Sequence, residues 1–152
     1  MNEIERKFLV KNERFKAGAM GCERIVQAFL NTDPERTVRV RIKGGKAYLT
    51  VKGIGNELGT TRFEWEKEIS VADAESLLPL CEPGVIDKVR YMVPYQDFMF
   101  EVDVFGGSHE GLLIAEVELD SEHQKYPVPD WLGEEVTGKV EYYNSYLAKA
   151  GR

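Results

Sequence analysis

The chain is 152 residues long, 43% hydrophobic and 30% charged, with only two cysteines. That composition suits one globular domain with a core of its own, and excludes both a disordered chain and a disulfide-stapled scaffold. Twenty basic against 26 acidic residues give a net charge of −6, which excludes a broadly basic nucleic-acid-binding surface. No apolar run approaches the roughly 18 residues of a membrane-spanning helix. Charged Glu3, Glu5, Arg6 and Lys7 stand where a secretory leader would be apolar. The expectation is one cytoplasmic domain over residues 1–152, making no nucleic-acid or membrane contact, with Cys22 and Cys81 as free thiols.

In chain order, the first element is a strand from Glu3 to Val10. Glu3, Glu5 and Lys7 share one face only if the period is two, with Ile4 and Phe8 opposite. Residues 12–21 are weakly helix-like. Gln27 alternates between Val26 and Ala28. Arg39, Arg41 and Lys43 alternate with Val38, Val40 and Ile42, and Gly44-Gly45 then reads as a hairpin turn. Tyr48, Thr50 and Lys52 alternate with Leu49 and Val51. The glycines from Gly53 to Gly59 have the wrong spacing for a dinucleotide loop and read as a hairpin connection. Glu64, Glu66 and Glu68 alternate with Phe63, Trp65 and Ile69.

Ser70 caps a helix running to Leu77 and Leu78, bracketed by Pro79 and Pro83-Gly84. Lys88 and Arg90 alternate with Val89 and Tyr91. Glu101 and Asp103 alternate with Phe100, Val102 and Val104, and Glu116, Glu118 and Asp120 with Ala115, Val117 and Leu119. Residues 121–125 read as a short helix stopped by Pro127 and Pro129. Tyr142, Tyr146 and Leu147 keep a helical rhythm towards Gly151, and this helix either covers barrel wall or plugs one end. Trp65 is expected between barrel and helix, Trp131 as an anchor for the last segment, and His109 and His123 on the surface.

These are about eight strands whose polar face is nearly always ionised, with signs clustered by strand. A solvated face with cross-strand ion pairs is one reading, but adjacent like charges on an open sheet repel. The other is an α+β fold: an eight-stranded antiparallel β-barrel, a tunnel with a charged interior and an apolar outside covered by helices. Such an interior is wet, internally paired or filled by a charged ligand, because desolvated unpaired charges are costly. An outer-membrane barrel shares this inside-out pattern, but the strands are short and aromatic girdles are absent.

Clustered carboxylates are hard oxygen ligands suited to Mg²⁺ or Mn²⁺, while the Cys and His usual for Zn²⁺ are scarce. Arg39 and Arg41 present planar donors matched to phosphate oxygens, with Lys7, Lys52, Lys88 and Arg90 as further cations. A polyphosphate with divalent metal satisfies both sets, which points to metal-assisted phosphoryl chemistry.

Glu3-Ile4-Glu5-Arg6-Lys7 resembles the N-terminal Glu-x-Glu-x-Lys signature of the CYTH superfamily, the triphosphate tunnel metalloenzymes. Further matches follow in the family's order: Arg39-Val40-Arg41, Lys52, Glu64-Trp65-Glu66, Lys88-Val89-Arg90, Glu101-Val102-Asp103 and Glu116-Val117-Glu118. The segment from Trp131 to Thr137 and then Tyr143-Asn144 also resembles the family's C-terminal part, as in its short bacterial members. The resemblance implies an eight-stranded tunnel that hydrolyses inorganic triphosphate or thiamine triphosphate, or cyclises ATP. It implies that Glu3, Glu5, Asp103, Glu116 and Glu118 hold divalent metal. Glu64 and Glu66 would hold a second metal through water or position the nucleophile. It further implies that Lys7, Arg39, Arg41, Lys52, Lys88 and Arg90 hold the triphosphate.

On that basis the expected activity is hydrolysis of inorganic tripolyphosphate with two Mg²⁺ or Mn²⁺ ions, with Glu5, Lys7, Lys52 and Glu66 acting in the chemical step. A class IV type adenylate cyclase, a thiamine triphosphatase and a non-catalytic polyphosphate-binding module are the alternatives. Lys139 stands where related chains often carry an acid, and Phe29 where some carry a tyrosine thought to orient substrate. A homodimer is compatible with the sequence, which leaves oligomeric state open.

Overall fold

The computed structural model describes residues 2–150, so the expected helix stop at Gly151 lies outside the described residues. The strands are β1 (Asn2–Val10), β2 (Gly21–Asn31), β3 (Arg36–Lys43), β4 (Lys46–Gly55), β5 (Thr61–Ile69), β6 (Ile86–Tyr95), β7 (Phe98–Phe105), β8 (Leu113–Glu118) and β9 (Leu132–Glu135). The helices are α1 (Val71–Leu77) and α2 (Asn144–Ala150). The spatial order is β5-β4-β3-β2-β6-β7-β8-β1, and β1 pairs back onto β5, so eight antiparallel strands close a barrel. One edge of β1 is divided. Asn2 to Ile4 pair with β5, while Phe8 and Val10 pair with the short β9 outside the ring. The opposite edge, Glu5 to Leu9, pairs with β8.

All eight expected strands are present. Lys43 opposite Lys46 leaves Gly44-Gly45 as a two-residue turn, with Gly44 at φ 59°. Such a turn matches the twist of the flanking strands and requires the left-handed region that glycine enters freely. Ser70 caps α1 by accepting from the backbone N–H of Asp73.

Three apolar clusters hold the barrel. Outside β1, β7 and β8, Phe8, Phe100, Val102 and Val117 pack against Phe15 and Trp131. Trp131 lies edge-on to both Phe15 and Phe100, so it anchors the segment before β9. Outside β3 and β4, Val40 and Ala47 are covered by Ala74 of α1. The third cluster lies at one end of the tunnel, where Phe29, Ile86, Phe105 and Ile114 meet Leu147 and Ala148 of α2. Thus α2 plugs the barrel end instead of lying against the wall.

Four expectations need correction. Residues 12–21 form only a 3-10 helix, Glu13–Gly18, whose Phe15 is wholly buried. Residues 121–125 are a turn: Glu122 is drawn to Thr60 and Thr61, accepting from their Oγ1 atoms, and Gln124 closes the turn by accepting from the backbone N–H of Asp120. Trp65 is 37% exposed, since the cluster under α1 lies over β3 and β4 and reaches β5 only at Ile69. His109 is half-buried, its Nε2 lying 2.6 Å from the Leu147 carbonyl of α2. Among the described residues no helix is long and apolar enough to cross a membrane.

Candidate functional site

Register decides which charges meet. Residues directly opposite each other in an antiparallel pair share a face. Glu5 stands opposite Glu118, Lys7 opposite Glu116, and Glu101 opposite Glu116. Across the barrel Lys52 faces Glu64, Thr50 lies between Arg39 and Glu66, and Arg90 faces Asp103. The inner faces surround a cavity of about 270 Å³. It is lined by Glu3, Glu5, Lys7, Arg39, Arg41, Lys52, Glu64, Glu66, Arg90, Glu116 and Glu118. The solvated-face reading therefore fails, and opposite signs from separate strands converge.

Lys88 and Asp103 do not line that cavity. Their side chains are 0% and 2% exposed, and the Lys88 Nζ lies 2.7 Å from Asp103. Arg90 grips the same carboxylate through Nε and Nη2, at 2.8 and 3.0 Å. Burial alone would raise the Asp103 carboxyl, but Arg90 and Lys88 together hold it well below the usual carboxylate range. Burial pushes Lys88 down to about 7 against the pull of Asp103. Lys88 also donates to Asn144 of α2 at 3.1 Å, tying the barrel interior to its plug.

The remaining cations are paired more loosely. Lys52 lies 2.8 Å from Glu3 and 3.2 Å from Glu64. Burial alone would lower Lys52, yet Glu5 and Glu3 raise it. Arg39 donates to Thr50 at 3.1 Å, and the Thr50 hydroxyl donates to Glu66 at 2.7 Å. Lys7 donates to the Tyr142 carbonyl at 3.2 Å, and both Lys7 and Arg62 sit over the Tyr143 ring. Burial, with the neighbouring Arg39 and Arg90 charges, lowers Arg41 to about 9.

The acids form the opposite wall. Burial, then Glu116 and Glu3, raise the Glu5 carboxyl well above its ordinary value. Burial alone would raise Glu116 too, but Lys7, a hydrogen bond with Glu5, and Arg90 take it well below. Burial also raises Glu118, helped by Glu3 and Glu101. Among the described residues no three of these groups close around one ready cation position. The donor set still fits a hard divalent cation: carboxylate oxygens crowded until two share a proton gain most when a cation replaces it.

Several lining residues were given no site role from sequence. Lys43 and Glu101 were placed on the charged faces but assigned no role, and Arg62 and Thr37 sit on the same strand faces as chosen residues, so the period of two pointed at them. Thr137, Gly138 and Ser145 line the cavity from the C-terminal segment, where no periodicity marks them. Phe29 lines it beside α2, whereas Lys139 pairs with Glu134 on the surface.

Comparison with known proteins adds an independent line. A family model described as the CYTH domain matches residues 1–150. An inorganic triphosphatase of Acetivibrio thermocellus is 45% identical over 148 residues, covering 97% of this chain and 93% of that protein. An inorganic triphosphatase of Nitrosomonas europaea is 38% identical over 152 residues, covering 97% of each. A crystal structure of an inorganic triphosphatase superposes with a TM-score of 0.69 at 37% identity, covering 96% of this chain and 97% of that one.

Proposed function

Given that the chain belongs to the CYTH domain family, we propose that it is a cytoplasmic, divalent-metal-dependent hydrolase whose substrate is inorganic tripolyphosphate. The observation that carries this reading is one cavity in which Arg39, Arg41, Lys52 and Arg90 face Glu3, Glu5, Glu116 and Glu118. The relatives named inorganic triphosphatase support it over cyclisation or thiamine triphosphate hydrolysis.

In this reading Lys7, Arg39, Arg41, Lys52 and Arg90 hold the phosphates and offset the charge that spreads over the transferred group. Glu3, Glu5, Glu116 and Glu118, with Glu64 beside them, would hold Mg²⁺ or Mn²⁺, two ions in all. When bound, such ions neutralise phosphate oxygens and lower the pKa of a coordinated water. Glu66, fixed by Thr50, orients the attacking water. Asp103 and Lys88 act one layer behind the cavity, Asp103 by aiming Arg90. The water oxygen bonds to the terminal phosphorus as the anhydride P–O bond breaks, pyrophosphate leaves with the electron pair, and the proton the water loses passes to solvent, leaving orthophosphate.

The test is phosphate release from tripolyphosphate, thiamine triphosphate and ATP, with Mg²⁺ or Mn²⁺ and with EDTA. Tripolyphosphate should be hydrolysed fastest, EDTA should abolish turnover, and Glu5→Gln should lower it on the order of a hundredfold or more. Cyclic AMP from ATP, metal-independent hydrolysis, or no turnover with any metal would overturn the proposal.

A further inference from the structure

We propose that Gln27 is a positioning residue for Arg41, orienting its guanidinium towards the substrate without cancelling its charge. This rests on the triphosphatase reading and extends it to a residue outside the cavity lining. Gln27 is 0% exposed in the middle of β2, directly opposite Arg41. Its Oε1 accepts from Arg41 Nε at 2.9 Å. An arginine nitrogen only donates, so this contact fixes which end of the amide faces Arg41.

The electrostatic setting gives the amide its significance. Going round the barrel, β2 lies between β3 and β6, the two strands that carry the basic residues. Every other strand next to β3 or β6 supplies an acceptor for one of their cations: Thr50 of β4 for Arg39, Asp103 of β7 for Arg90 and Lys88. Asp103 neutralises what it holds. Arg41 has no ion pair among the described residues, and Gln27 is its hydrogen-bond acceptor. A carboxylate of the same length would form a stronger bond but consume the charge that a phosphate oxygen needs. The Gln27 Nε2 is buried with no partner, so the amide is held at this spot at a desolvation cost. That cost is intelligible if a neutral acceptor is required here.

The experiment compares Gln27→Glu and Gln27→Met with the unmodified chain in steady-state hydrolysis of tripolyphosphate, alongside thermal melting. A neutralised Arg41 should raise KM on the order of tenfold or more in Gln27→Glu, with kcat changed less than about threefold. Gln27→Met, which frees the guanidinium but leaves it charged, should raise KM by a smaller factor, and this variant carries the test if Gln27→Glu does not fold. In an Arg41→Lys background, which lacks the Nε–H, Gln27→Met should change KM less than about twofold. A KM within twofold of the unmodified chain in both single variants, or an undiminished effect in the Arg41→Lys background, overturns the inference while leaving the triphosphatase reading intact. Failure of the unmodified chain itself to hydrolyse tripolyphosphate overturns that reading and the inference with it.

Discussion

Asp103 is the residue on which the basic side of the tunnel turns. It is 2% exposed and is shared by Lys88 at 2.7 Å and by both Arg90 contacts. Removing one partner of a buried ion pair leaves uncompensated charge in low dielectric, which costs about 3–5 kcal/mol. Asp103→Asn should therefore lower unfolding free energy by about that amount in urea titration. Glu101 touches the same Arg90, but at 3.5 Å and with its side chain 35% exposed. Solvent already screens that pair, so Glu101→Gln should cost less than about 1 kcal/mol. Equal effects of the two changes would show that the triad is not the electrostatic keystone of the barrel interior.

At the level of elements, α2 has only seven residues and gains its stability from packing rather than from helix propensity. Leu147 fits among Phe29, Ile86, Phe105 and Ile114, so Leu147→Ala should cost about 2–5 kcal/mol. Tyr146 on the same helix is 46% exposed, and Tyr146→Ala should cost less than about 1 kcal/mol. Urea titration of both variants checks the contrast, and equal losses would contradict the plug. The eight barrel strands were legible because polar and apolar residues alternate along them, the polar ones ionised on most strands, although β2 was marked by Gln27 alone. The ninth was not: Leu132-Gly133-Glu134-Glu135 has no alternation, and its partner is the part of the β1 edge that β5 leaves uncovered. The false helix at residues 121–125 has local helical character, but Glu122 spends its side chain on Thr60 and Thr61 of another segment, and Gln124 turns back on the Asp120 N–H. The site was legible to the same depth. Strand period shows which side chains point inward, while register decides that Asp103 holds Arg90 and Lys88 and that Gln27 holds Arg41. Both pairs lie in hairpins, whose register is set by the connections at residues 32–35 and 96–97, and neither connection was read from the sequence.

The whole molecule carries a net charge of −6, yet its interior gathers the cations that a polyanion needs. Folding therefore forces like charges together on both walls: Arg39, Arg41 and Arg90 on one, Glu5, Glu116 and Glu118 on the other. A ligand that binds only the folded tunnel stabilises it by RT ln(1 + [L]/Kd), about 2.7 kcal/mol at a hundredfold excess over Kd. For a domain of this size that amounts to a rise in melting temperature of roughly 5–10 °C. Tripolyphosphate with Mg²⁺ under non-turnover conditions, for instance in Glu66→Gln, should produce such a shift in a thermal melt. Sodium chloride at matched ionic strength should produce much less, because screening reaches charges inside the barrel far more weakly than those on the surface. An equal shift from both would mean that the polyanion acts as bulk electrolyte and does not enter the tunnel. A shift from tripolyphosphate that disappears in Arg39→Gln while that variant still folds would place the effect on the basic wall.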